Sequence, residues 1–91
     1  MVKLLTIKKS TRKDKKLMAT FDNGIITHFG ATGYNDYTIT NDDERKRLYL
    51  IRHGAEDWTN PTKASTLSRY ILWNKKTLEE SIKDYKTKFK I

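Results

Sequence analysis

His28-Phe29-Gly30-Ala31-Thr32-Gly33-Tyr34-Asn35-Asp36-Tyr37 divides the chain into two kinds of sequence. Strand patterns precede it and helix patterns follow it, so it is the connection at which a small sheet hands over to a helical layer. Its ten residues hold three aromatics, two glycines, a histidine and an aspartate, with no lysine or arginine. Gly30 and Gly33 permit positive φ and close packing. Asp36 can accept hydrogen bonds from nearby backbone N–H groups of a turn.

Upstream, Val2 to Lys9 reads as a strand of mixed parity, with Val2 and Leu4 on one face and Leu5 and Ile7 on the other. That pattern fits either a strand start covered on both faces or a bulge. Ser10 to Lys16 is polar and charged, a natural hairpin loop. Leu17-Met18-Ala19-Thr20-Phe21 forms a second strand with Leu17, Ala19 and Phe21 on one face. Asn23-Gly24 is a strong short hairpin signal, and Ile25 to Phe29 is the third strand. Three antiparallel strands in a meander are the simplest outcome, about the minimum for independent sheet stability.

Downstream, Thr40-Asn41-Asp42-Asp43-Glu44 opens a helix. Asn41 with Glu44 has the capping-box spacing, Thr40 with Asp43 is a variant one residue earlier, and the acids favour the positive end of the helix dipole. This helix is expected to run to about His53, with Gly54 as a left-handed stop and Leu48, Ile51 and Tyr49 on its apolar side. Asn60-Pro61 starts a second helix, whose core stripe is Ala64, Leu67, Ser68, Ile71 and Leu72. Thr77 and Glu80 open a third, with Leu78, Ile82, Tyr85 and Phe89 inward and Lys83, Lys86, Lys88 and Lys90 outward. The expected fold is therefore α+β, a three-stranded antiparallel meander followed by three packed helices, with residues 1–91 in one domain.

Composition narrows the function classes. The chain has no cysteine, so neither a disulfide framework nor a cysteine zinc site is available. No apolar run approaches the roughly 18 residues of a membrane span, and the segment from Met1 is too short for a leader, so the expectation is a soluble protein without a membrane partner. The net charge of +8 is unevenly spread. Residues 1–21 carry seven Lys/Arg against one Asp, whereas residues 22–43 carry four Asp and no Lys/Arg.

Several segments stand together in one order: His28-Phe29-Gly30-Ala31-x-Gly33-Tyr34-x-Asp36-Tyr37, Arg45-x-x-x-Tyr49-x-x-Arg52-His53, Trp58, and Ser68-Arg69-Tyr70-Ile71-Leu72-Trp73-Asn74-Lys75. With Leu78, Ser81-Ile82, Asp84-Tyr85 and Phe89, they resemble a family of small uncharacterised proteins of large double-stranded DNA viruses of algae and protists, and of some phages. The resemblance covers about residues 28–91. It implies a viral protein located in the virion or in the host cytoplasm or nucleus, and it carries no catalytic role. A proline that often follows the lysine after Leu-Trp-Asn is replaced here by Lys76, which bears on the turn between the last two helices.

Three function classes remain. A basic protein gains affinity for nucleic acid by releasing phosphate counterions, without any motif. Arg12, Lys13, Lys15, Lys16, Arg45, Arg52 and Arg69 are the candidate phosphate contacts, against the plain alternative that a charged surface maintains solubility. A protein–protein module, capsid-associated or directed at a host factor, would use Phe29, Tyr34, Asp36 and Trp58 as contacts to a viral or host protein. A small hydrolase using His28, Asp36 and His53 is the remote third option. Gly30 and Gly33 complete no phosphate-loop fingerprint. Nothing in the sequence requires a metal or cofactor. The expectation is a basic viral protein that is nucleic-acid-associated or virion-associated, non-sequence-specific and non-enzymatic.

Overall fold

The apolar alternation of the first third forms β1 (Leu4–Lys9), β2 (Lys15–Phe21) and β3 (Ile26–Ala31). They pair antiparallel in the order β1-β2-β3 in this computed structural model, which describes residues 2–91. Met1 lies outside the described residues. The mixed parity of β1 resolves as a bulge: Leu4 pairs with Phe21 but Thr6 with Thr20, leaving Leu5 60% exposed. The extra residue lets Leu4 and Ile7 both turn toward the core. Asp22-Asn23-Gly24 makes the second turn, with Gly24 at φ +89°.

Strand β2 is longer than expected, because Lys15 and Lys16 belong to it and not to the loop. Lys15 pairs with Ala31 and Leu17 with Phe29. The helical layer covers the sheet face that carries Ala19, Phe21 and Phe29, and Leu67, Ile71, Leu72 and Tyr85 close the core against it. Thr27 Oγ1 donates to Thr62 O at 2.6 Å, which ties the segment around Pro61 to the sheet, and Tyr85 OH donates to Pro61 O, which ties it to the last helix.

Four helices follow where three were expected: α1 (Tyr37–Thr40), α2 (Asp43–Arg52), α3 (Ala64–Leu67) and α4 (Leu78–Phe89). The extra one is α1, a single turn nucleated by Asp36, whose side chain accepts from Thr38 N. Asn41 closes it in the left-handed conformation (φ +50°), so the cap of α2 passes to Asp42, not to Thr40 or Asn41. Asp42 Oδ1 accepts from Glu44 N at 3.0 Å and Arg45 N at 3.1 Å. Asn60 spends its side chain on Thr62 N and Oγ1, and the helix expected there begins only at Ala64. Gly54 does not take the left-handed conformation expected of it. Thr77 does cap α4, accepting from Glu80 N at 3.2 Å.

Helix α3 continues without a break into a π-helical turn, Ser68–Leu72, in which Trp73 N donates to Ser68 O five residues back. Insertions of this kind are frequent at functional sites. Helix α2 has no buried residue. The aliphatic side expected to face inward, Leu48 and Ile51, points to solvent. Lys46, Tyr49, Leu50 and His53 are the half-buried residues instead.

Gly30 and Gly33 both have positive φ, +80° and +88°, but only Gly30 is crowded. A Cβ there would stand 2.7 Å from Leu72 Cδ1 and 3.4 Å from Lys16 Cβ, whereas Gly33 faces open space. Gly33→Ala is expected to cost about 1–2 kcal/mol from backbone strain alone. Gly30→Ala adds overpacking of about 1–3 kcal/mol against the enclosed Leu72. Urea unfolding midpoints check the ordering, and equal losses would contradict it.

Candidate functional site

An ion pair at the end of the sheet organises the region. Lys16 Nζ, at the start of β2, lies 2.8 Å from Asp36 Oδ2, and the aspartate is 2% exposed. The other oxygen, Oδ1, accepts from Thr38 N at 2.9 Å and from Thr38 Oγ1. One carboxylate therefore anchors the connection to the sheet and starts α1. Tyr37 OH donates to Asp43 Oδ1 at 2.5 Å, which holds the phenol above its usual pKa. Asn41 Nδ2 donates to Tyr37 O and to Lys76 O, joining α1 to the turn before α4.

Helix α2 docks through polar and aromatic contacts. Lys46 Nζ donates to Asn74 O at 2.7 Å and sits 4.9 Å from the centre of the Tyr37 ring. Its pKa is lowered, first by burial and then by the charges of Arg69 and Lys75. Trp73, Tyr49 and His53 form a column of rings, with Trp73 and Tyr49 stacked at 4.6 Å and 7° and Tyr49 and His53 at 4.4 Å and 34°. His53 Nδ1 lies 2.9 Å from Glu56 Oε1.

Between this column, the π turn and the connection lies a cleft of about 390 Å³. Its lining includes Lys15, Lys16, Tyr34, Asn35 and Asp36 on the sheet side, and Tyr49, His53, Glu56, Ser65, Ser68 and Trp73 on the helix side. Tyr34 is 73% exposed. Ser65 Oγ is enclosed and has no hydrogen-bond partner among the described residues. Burial, reinforced by the Glu56 carboxylate, pushes the Tyr49 phenol up to about 12.

A second concavity, of about 540 Å³, lies at the tip of the first hairpin, lined by Lys9, Ser10, Thr11, Arg12, Lys13, Lys15, Lys16, Thr32 and Gly33. Lys15 and Lys16 line both hollows. Among the described residues, Lys9, Lys13 and Lys15 have no carboxylate within ion-pair distance.

The residues singled out from sequence fall in different places. Lys13 is exposed at the tip and Lys15 half-buried beside it, whereas Arg12 is gripped by Asp14 through Nε at 3.2 Å and Nη2 at 3.1 Å. Lys16 is committed to Asp36. Arg69 is half-buried, its guanidinium over the rings of Trp58 and Tyr70 and its Nη1 donating to Trp73 O at 3.1 Å, so it braces the helices. Arg45, 3.6 Å from Asp42, and Arg52 stand exposed on α2.

Phe29, 1% exposed, and Asp36 are enclosed, which removes them as contacts of the folded surface. Tyr34 reaches that surface, and Trp58 is half-buried with Nε1 unpartnered among the described residues. His28 Nδ1 meets Ser10 Oγ at 2.7 Å and is not part of the cleft that holds Asp36 and His53, so the three do not assemble. Sequence reasoning passed over the ring column. The four-residue spacing of Tyr49 and His53 places both on one helix face, but nothing local pairs Tyr49 with Trp73.

Asp36→Asn keeps a capping oxygen but removes the charge opposite Lys16, and is expected to cost about 1–3 kcal/mol. Lys16→Met combined with Asp36→Asn is expected to lose less than the single losses added, because no unpaired charge remains. A double-mutant cycle by chemical denaturation measures the coupling. For Tyr49, the folded pKa lies above the ordinary value of 10.0. Its stabilising share is thus complete below about pH 10 and is lost as pH rises toward about 12. Tyr49→Phe is expected to flatten the stability–pH curve in that window.

The family relationship takes in the sheet as well as the connection. Residues 5–53, from β1 to the end of α2, match a family of unknown function (DUF5754). No curated protein and no solved structure matches the chain. The matched segment contains the basic hairpin, the Lys16–Asp36 pair, Tyr49 and His53, and it stops before Trp58 and Trp73. With more than half of its length matched, the chain belongs to the family of unknown function DUF5754.

Proposed function

We propose that the protein binds nucleic acid without sequence specificity, through the phosphate backbone, at the tip of its first hairpin. The observation that carries this reading is the concave basic tip, where Lys9, Lys13 and Lys15 line a hollow with no ion-pair partner among the described residues. Concentrating unpaired cations raises the local potential and the counterion release on binding. The lysines of α4 offer a weaker surface, since Glu79, Glu80 and Asp84 lie among them on the same helix. The reading has no catalytic step. A viral setting, in the virion or the infected cell, rests on the sequence resemblance of residues 28–91.

A second reading, a protein-interaction module, draws on α1 and α2. Ile39, Leu48 and Ile51 are all exposed there, Ile51 by 65%. The tip remains the better supported site, because exposed aliphatics on a surface helix are common singly.

Affinity for a short oligonucleotide is expected to fall steeply with salt, by about 0.7 in log–log slope per phosphate on single strands and about 0.9 on duplex. Lys13→Gln with Lys15→Gln should reduce the slope by about 1.4 on single strands. Lys83→Gln with Lys86→Gln, equal in charge change, should leave it unaltered. Absence of binding at about 50 mM salt, or equal losses from the two pairs, would defeat the proposal.

A further inference from the structure

We propose that the cleft beside the connection receives an unstacked nucleobase, which makes the protein a binder of single strands. This rests on the phosphate reading of the hairpin tip and extends it to a second contact on the same ligand. Lys15 and Lys16 line both hollows, so a strand whose phosphates lie at the tip can place an adjoining base in the cleft.

The cleft suits a base better than a phosphate. At about 390 Å³ it is within the usual range for a small organic group. Its charged lining is close to balanced, with Lys15 set against the Glu56 carboxylate and Lys16 against Asp36, so it holds no excess of cations for a phosphate. The Lys16 ammonium in the same lining is already paired with Asp36.

For a base edge the lining offers donors and acceptors together: the Asn35 amide, the Ser65 and Ser68 hydroxyls and the Glu56 carboxylate. The Ser65 hydroxyl, without a partner among the described residues, has hydrogen-bonding capacity to give after a rotation of its side chain. For a base face there is Tyr34, an aromatic ring left largely in water, and the Trp73–Tyr49–His53 column, whose stacking holds its rings in place. Stacking tolerates any base, which agrees with binding that ignores sequence. Bases of a duplex have both faces covered and enter only after being extruded, so duplex is disfavoured.

The test compares an oligothymidylate, a duplex of equal length and an abasic phosphodiester oligomer, by fluorescence anisotropy at one salt concentration with the full chain. Single strand is expected to bind most tightly. Tyr34→Ala, at an exposed position, should weaken single-strand binding by about 5- to 150-fold, the range of one stacked base. It should leave duplex and abasic binding and the salt slope unchanged, and Tyr34→Phe should restore the loss. Equal affinity for all three ligands, unaffected by Tyr34→Ala but steep in salt, overturns the base cleft and leaves the phosphate reading standing. No binding of any ligand at low salt overturns both.

Discussion

The contact between Lys16 and Asp36 is the constraint on which the rest of this structure depends. It joins residues twenty positions apart, one at the start of the central strand and one at the end of the connection. An isolated buried carboxylate is costly, so Asp36 is tolerated only with its cation and its donors in place. Gly30 makes the approach possible, since a side chain there would strike Leu72 and press on Lys16. Once Asp36 is seated, its second oxygen starts α1, Asn41 ends it, and Asp42 begins α2. The position of α2, and with it one wall of the cleft, follows from that chain of caps.

The same pair bears on function by dividing the charge. The acidic stretch of residues 22–43 does not form a continuous acidic surface, because Asp36 is enclosed and Asp42 and Asp43 are occupied at the start of α2. Lys16 is likewise withdrawn from solvent. What remains on the outside near the connection is a basic tip, an exposed tyrosine and a cleft with mixed polar lining. On the proposed reading, the tip would meet the phosphates of a strand and the cleft one of its bases.

Much of the sheet was legible, because alternation and Asn23-Gly24 are local signals, while the parity clash in β1 left a bulge and a doubly covered strand start both open. The cap of α4 was legible for the same reason. The start of α2 was displaced because Thr40, Asn41 and Asp42 are all competent caps, and the choice followed from Asn41 turning left-handed to close α1. Helix α2 misled further: Leu48 and Ile51 looked like its core side, yet the helix is held by a lysine on a carbonyl and by ring stacking. That Asp36 caps a turn could be read from its position. That Lys16 pairs with it could not, since nothing local links two residues on different elements. The cleft was hidden likewise, because it combines the connection, α2 and a π turn with no sequence mark.

The central claim is that the hairpin tip and the cleft act on one strand of nucleic acid. Its most direct measurement is an amide and aromatic NMR titration of the full chain with a short oligothymidylate. The account predicts concerted shifts at Lys13, Lys15, Tyr34, His53 and Trp73, with Lys83 and Lys86 on α4 unmoved. Shifts confined to α4, or a response of the tip without Tyr34, His53 and Trp73, would contradict it.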